Sequence, residues 1–164
     1  MILPQWQALE QRACKIFGKN AAEVEKQLVV VNWGDLKVRV HMLAAPYFER
    51  AFIYTQTAAY NVHRMEAFCW RLQRGSLVKL SMHSWAIAAD VNPDTNPMQH
   101  PGDKVKTDMN DLFINGFKQA GFEWGGDFHR CDPMHFQLRP EFWGVAVTPL
   151  GIGERPKDAA GGPI

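Results

Sequence analysis

Residues 81–91 read SMHSWAIAADV, and the reading of this stretch decides the fold. Residues 87–91 are apolar apart from Asp90, and Pro93 and Pro97 follow closely. A short apolar run closed by prolines predicts a buried strand that ends in an irregular loop. A carboxylate inside such a strand has poor surroundings. Burying it unpaired is costly, so Asp90 needs a strong partner: a metal, an arginine or a set of backbone N–H donors. His83 lies in the turn before the strand, close enough in sequence for that turn to fold it back toward Asp90.

A second stretch, residues 132–138, reads DPMHFQL, and its last four residues predict another short strand. Together the two stretches hold His83, Asp90, Asp132 and His135, the residue types of a hydrolytic zinc site. Zinc takes imidazole nitrogen and carboxylate oxygen, and a catalytic site keeps one position open for water. Asp132 sits three residues before His135, around Pro133. That offset brings its carboxylate near a metal held by His135 without forcing it into the coordination shell. A carboxylate so placed can take a proton from the attacking water and pass it to the leaving amine. Neither spacing is that of the HExxH helix motif. The plainer reading of the same residues is a satisfied core histidine and a surface turn.

Working outward, residues 4–17 predict a helix, with Trp6, Leu9, Ala13, Ile16 and Phe17 at helical spacing, Pro4 in its first turn and Gly18 as terminator. Residues 21–27 predict a short second helix, and 28–31 and 36–43 predict strands joined by a turn at 32–35. Residues 44–59 allow two readings: a helix opened by Pro46 and carrying Phe48, Ala51 and Phe52, or a strand over 51–57. Residues 64–75 are rich in arginine and aromatics and close on an RGS turn signal. A further helix is predicted over 104–120, stopped by Gly121, with Met109, Leu112, Phe113, Phe117 and Ala120 on one face. Residues 124–127, WGGD, predict a turn, and the Gly-, Pro- and Ala-rich residues 151–164 predict a flexible tail behind a single domain over 1–150. These mixed elements lack βαβ alternation, which indicates an α+β architecture.

With 46% hydrophobic and 21% charged residues, the chain has a globular composition rather than a disordered one. A net charge of +1 gives no general attraction to nucleic acid, whose binders carry a clear basic excess. Six tryptophans are many for this length, and core packing is the expected role of most. Cys14, Cys69 and Cys131 form no CxxC pair and are expected as buried small side chains, Cys131 being the one beside the candidate site. The first residues show no basic segment followed by an apolar one, and no apolar run is long enough for a bilayer. The expectation is cytoplasmic synthesis without a signal peptide, no membrane insertion and a monomer.

The two stretches resemble the M15 peptidase group, which contains D-alanyl-D-alanine carboxypeptidases and dipeptidases and L-alanyl-D-glutamate endopeptidases. The group's pattern is Ser-x-His-x-x-Gly-x-Ala-x-Asp followed by Glu/Asp-x-x-His. Ser81, His83, Ala88 and Asp90 match the first part, and Asp132 and His135 match the second. The segments KLSMHSW, DVNP, AGFEWGGDF and DPMHF also resemble the phage-lysin-like branch, and the likeness runs from about residue 69 to 137. It implies a small antiparallel sheet carrying zinc with helices packed on one side, a Hedgehog/DD-peptidase-like fold. It implies His83, Asp90 and His135 as ligands of Zn2+, Asp132 as general base, and an upstream arginine at the substrate, Arg71 first and Arg74 second. One position departs: the pattern's glycine is Ala86 here. The implied substrate is the stem peptide of peptidoglycan, cut between L-Ala and a D-amino acid by a phage or prophage endolysin that reaches the cell wall after release. A D-alanyl-D-alanine carboxypeptidase is the near alternative, and an inactive wall-peptide-binding protein and a hydrolase of other substrates are the rivals.

Overall fold

The computed structural model describes residues 4–147. The proposed tail, 151–164, lies outside the described residues. Helix α1 (Gln5–Phe17) starts at Pro4 and buries Ala13 and Phe17, as the apolar stripe predicts. Helix α2 (Ala21–Glu25) is one turn long and is capped by Asn20, whose side chain accepts from the Glu23 N–H.

Strands β1 (Leu28–Trp33) and β2 (Leu36–His41) form a separate antiparallel hairpin. Its turn is tighter than the predicted 32–35. Asn32 and Trp33 pair with Lys37 and Leu36, so only Gly34 and Asp35 turn, with Gly34 at a φ of 58°. Two-residue loops with positive φ match the twist of a hairpin, and glycine takes that conformation without cost. Residues 45–55 settle as helix α3 (Ala45–Thr55), with Pro46 in its first turn and Ala45, Tyr47, Phe48, Ala51 and Thr55 buried. The strand reading of 51–57 is therefore set aside: the buried residues recur at helical spacing, and tertiary packing selects that period.

A four-stranded antiparallel sheet carries the rest, in the order β3 (Met65–Glu66), β4 (Ala88–Val91), β6 (His135–Leu138), β5 (Phe122–Trp124). Strands β3 and β5, two and three residues long, are too short to show a period in the sequence. Side chains alternate across a sheet, so on β6 Phe136 and Leu138 turn one way while His135 and Gln137 turn the other. Phe136 stacks on Phe117 of helix α4 (Asp111–Gln119) at 4.1 Å between ring centroids, and Phe122 meets Phe48 of α3 at 4.8 Å. Trp33 stacks on the same Phe117 at 5.2 Å and ties the hairpin to this core. Helices thus cover one face of the sheet and leave the other free.

Helix α4 begins at residue 111, not at the predicted 104. Residues 104–110 are held outside the helix by side chains. Asn96, fully buried, donates from Nδ2 to Asp108 Oδ1 at 2.8 Å and accepts from the Asp108 N–H at 3.2 Å. Asn110 then caps the helix by accepting from the Phe113 N–H at 3.0 Å. Met109 is buried as its place in the stripe predicts, but it reaches the core from the loop. Trp33, Trp85, Trp124 and Trp143 are buried, in line with a core role for most tryptophans. Cys131 is buried too, whereas Cys69 is exposed, against expectation. Among the described residues no helix is long and apolar enough to cross a membrane.

Candidate metal centre

The free face of the sheet presents Asp90 and His135 directly opposite each other, as cross-strand partners of β4 and β6. Such pairs hold their Cβ atoms about 5 Å apart, close enough for both side chains to share one ligand. His83 arrives from the single-turn 3-10 helix Met82–Trp85, whose cap Ser81 accepts the His83 N–H at 3.4 Å. That turn ends at Ala86, which is fully buried and in the left-handed region at φ 54°, ψ 36°. The sequence pattern has glycine here for this reason. Ala86 does not keep ordinary backbone values, and the conformation costs about 1–2 kcal/mol. The buried methyl returns about 0.8 kcal/mol of that. The strained turn secures placement: Ala86 donates its N–H to the His83 carbonyl and accepts from the His41 N–H.

Three donor atoms converge. His83 Nε2 lies 3.1 Å from Asp90 Oδ1, His135 Nδ1 lies 3.1 Å from the same oxygen, and the two nitrogens are 3.2 Å apart. All three residues are buried. Zinc with bonds of ~2.0–2.1 Å in a tetrahedron keeps its ligand atoms about 3.3 Å apart, so this donor set fits the ion in element, number and spacing. Both imidazoles are also turned correctly. His83 Nδ1–H donates to the Ala67 carbonyl at 2.7 Å, which leaves Nε2 with its lone pair toward the cluster. His135 directs its other nitrogen, Nε2, at Gln137 Oε1, 3.1 Å away.

Burial pushes the Asp90 carboxyl up, but the imidazoles of His135 and His83, each 3.1 Å from Oδ1, outweigh it and hold the group well below the usual carboxylate range. Arg71 adds a guanidinium, with Nη2 3.6 Å from Asp90 Oδ2. Asp132 is shifted the other way. Burial raises it and the charge of Asp90 adds to the rise, against the pull of His135 and Arg74. Its Oδ1 is buried without a hydrogen-bond partner, an expensive state for a carboxylate that nothing approaches. Asp132 lines a cavity of about 240 Å³ together with Arg71, Arg74, Phe128, Arg130 and His135. Gly125 makes the crowding possible, since a Cβ there would collide with the Asp132 carbonyl oxygen and lie 3.0 Å from His135 Cβ.

The fold therefore brings together His83, Asp90, Asp132, His135 and Arg71, and it seats Arg74 on the same cavity with its carbonyl accepting from Arg130 Nη1. The residues absent from the sequence reading are Gln137, Ala67 and Arg130. Gln137 alone left a trace, as the polar residue two places after His135 in a short strand. Cys131 is buried beside the site, and burial, then the charge of Asp132, raises its thiol.

Residues 74–138 match the family model described as D-alanyl-D-alanine carboxypeptidase, of the M15 peptidases. The matched span contains all three clustered residues and Asp132, and it begins three residues after Arg71. No curated protein matches the chain. The segment that is similar to this family thus contains a His–Asp–His cluster of the kind that binds zinc.

Proposed function

We propose that this protein is a zinc peptidase that hydrolyses the stem peptides of peptidoglycan, as an L-alanyl-D-glutamate endopeptidase of the endolysin type. The observation that carries the hydrolytic part is a three-donor cluster whose Asp90 and His135 line one cavity together with Asp132, a carboxylate with a buried, unpartnered Oδ1. His83 Nε2, Asp90 Oδ1 and His135 Nδ1 would hold the metal. Zinc, when bound, supplies Lewis acidity that acidifies the attacking water and polarises the scissile carbonyl. Asp132 accepts the water's proton and delivers it to the leaving nitrogen, and its raised basicity suits that exchange better than an ordinary surface carboxylate. Arg71 points a planar, permanently charged donor group at the same cavity, where it steadies the oxygen of the carbonyl under attack.

The endopeptidase reading draws support from the lysin-like segments around the two motifs. A D-alanyl-D-alanine carboxypeptidase is the second reading, favoured by the description of the matching family. Digestion of purified peptidoglycan, with mass analysis of the fragments, separates them. New amino termini on D-glutamate support the endopeptidase, whereas release of single D-alanine from the carboxyl end supports the second reading. No cleavage by zinc-loaded protein would leave a wall-peptide-binding protein or a hydrolase of other substrates.

A further inference from the structure

We propose that Glu123 and Gln137 form a directional relay that decides which nitrogen of His135 faces the metal cluster, so that both are positioning residues for zinc; the inference rests on the zinc reading above. Glu123 and Gln137 are cross-strand partners of β5 and β6. His135 stands two residues before Gln137 on the same strand, hence on the same face. Gln137 Nε2 donates to Glu123 Oε2 at 2.8 Å, and Gln137 Oε1 lies 3.1 Å from His135 Nε2.

The direction of this relay is set by what each group can do. A carboxylate only accepts, so Glu123 draws the NH2 end of the Gln137 amide toward itself. The amide oxygen is then left facing the imidazole, and it too only accepts. The ring nitrogen opposite must therefore keep its proton, which makes Nδ1, beside Asp90 Oδ1 and His83 Nε2, the nitrogen of His135 that can give up a proton and offer a lone pair to a metal. Without the carboxylate the amide has no preferred sense. In its flipped orientation the NH2 group would donate to Nε2 and place the proton on Nδ1, where it blocks coordination. His83 needs no such device, because its outer partner is the Ala67 carbonyl, a backbone acceptor that cannot flip. The two histidines thus have unequal supports, and only that of His135 is written in side chains.

The test is zinc affinity measured by competition with a chromophoric chelator, on variants first shown to be folded by circular dichroism. Gln137→Leu should bind zinc ~10–100-fold more weakly, the usual scale for losing an outer partner of a histidine ligand. Glu123→Gln, which keeps size and changes only the carboxylate, should show a smaller loss. The exchange of both residues, Glu123→Gln with Gln137→Glu, should recover most of the affinity. Glu at 137 accepts directly from His135 Nε2–H, and Gln at 123 donates to it. A packing role predicts normal affinity for Glu123→Gln. Wild-type zinc affinity in both single variants, or no recovery in the exchanged pair, would overturn the relay alone. A wild-type protein that binds no zinc would overturn the relay and the zinc reading together.

Discussion

Asp132 and His83 belong to the same candidate site, yet they should fail differently when replaced. His83→Ala removes one of three converging donors, and zinc should be lost, as elemental analysis of the folded variant would show. Asp132→Asn keeps the volume and removes the basicity. It should retain zinc, with turnover on a stem-peptide substrate lower by ~10²-fold or more. Full turnover with full zinc would remove Asp132 from the mechanism. A third residue, His41, was not singled out in the sequence. It is fully buried, with Nε2 3.1 Å from the Phe17 carbonyl, and its Nδ1 accepts the Leu43 N–H at 3.1 Å. Burial lowers its basicity below the ordinary imidazole range. The unfolded chain therefore takes up a proton at a higher pH than the folded one. The stability it contributes is complete above about pH 6.5 and is lost as the pH falls below it. Urea unfolding of wild type and His41→Gln between pH 7 and 5 should differ in slope by up to about 1.4 kcal/mol per pH unit, wild type being the steeper. Equal slopes would show that His41 titrates alike in both states.

Helices α3 and α4 meet at Gly116, where a Cβ would lie 2.7 Å from Thr55 Cγ2 and 3.2 Å from the backbone nitrogen of the same residue. Glycine inside a helix costs ~1 kcal/mol relative to alanine, so Gly116→Ala would be stabilising if the helix stood alone. Against α3 the methyl group overpacks, at a typical cost of ~1–3 kcal/mol. The expected net result is destabilisation, read as a lower denaturation midpoint and relieved in part by adding Thr55→Ser. A rise in the midpoint would show that the helices part without cost. The sequence marks the helices at this scale well, because an apolar stripe needs only local order. It does not mark where α4 starts, since Asn96 holds Asp108 from twelve residues away. Nor does it mark β3 and β5, which exist only as partners of β4 and β6.

The described chain closes on itself at its far end: Trp143 is buried and Tyr47 Oη donates to the Val145 carbonyl at 3.0 Å. The proposal that residues 1–150 form one zinc peptidase domain is tested by a chain ending at residue 150. It should unfold in a single transition at the midpoint of the full chain. Zinc at 100 times its Kd should stabilise both by about 2.7 kcal/mol, and the gain should vanish in His83→Ala. Two transitions, or a chain that does not fold, would overturn the single domain.

The residues of the cluster were legible one by one: Asp90 as a charge in an apolar run, His83 and His135 as imidazoles within reach of a carboxylate. Those are local properties, and a local pattern of hydrophobicity and charge carries them. The sequence ranked Arg71 before Arg74 as the upstream arginine; both line the cavity, and the Arg71 guanidinium lies 3.6 Å from Asp90. It also left the backbone of Ala86 undetermined, which the structure puts in the left-handed region, bonded to the His83 carbonyl and the His41 N–H. Above all, strand register set Asp90 against His135 and Glu123 against Gln137. Register depends on pairing between segments far apart in the chain, and a slip of one residue turns every side chain to the opposite face. The chemistry of the site was therefore present in the sequence, while its aim, down to the nitrogen that His135 presents, came from the sheet.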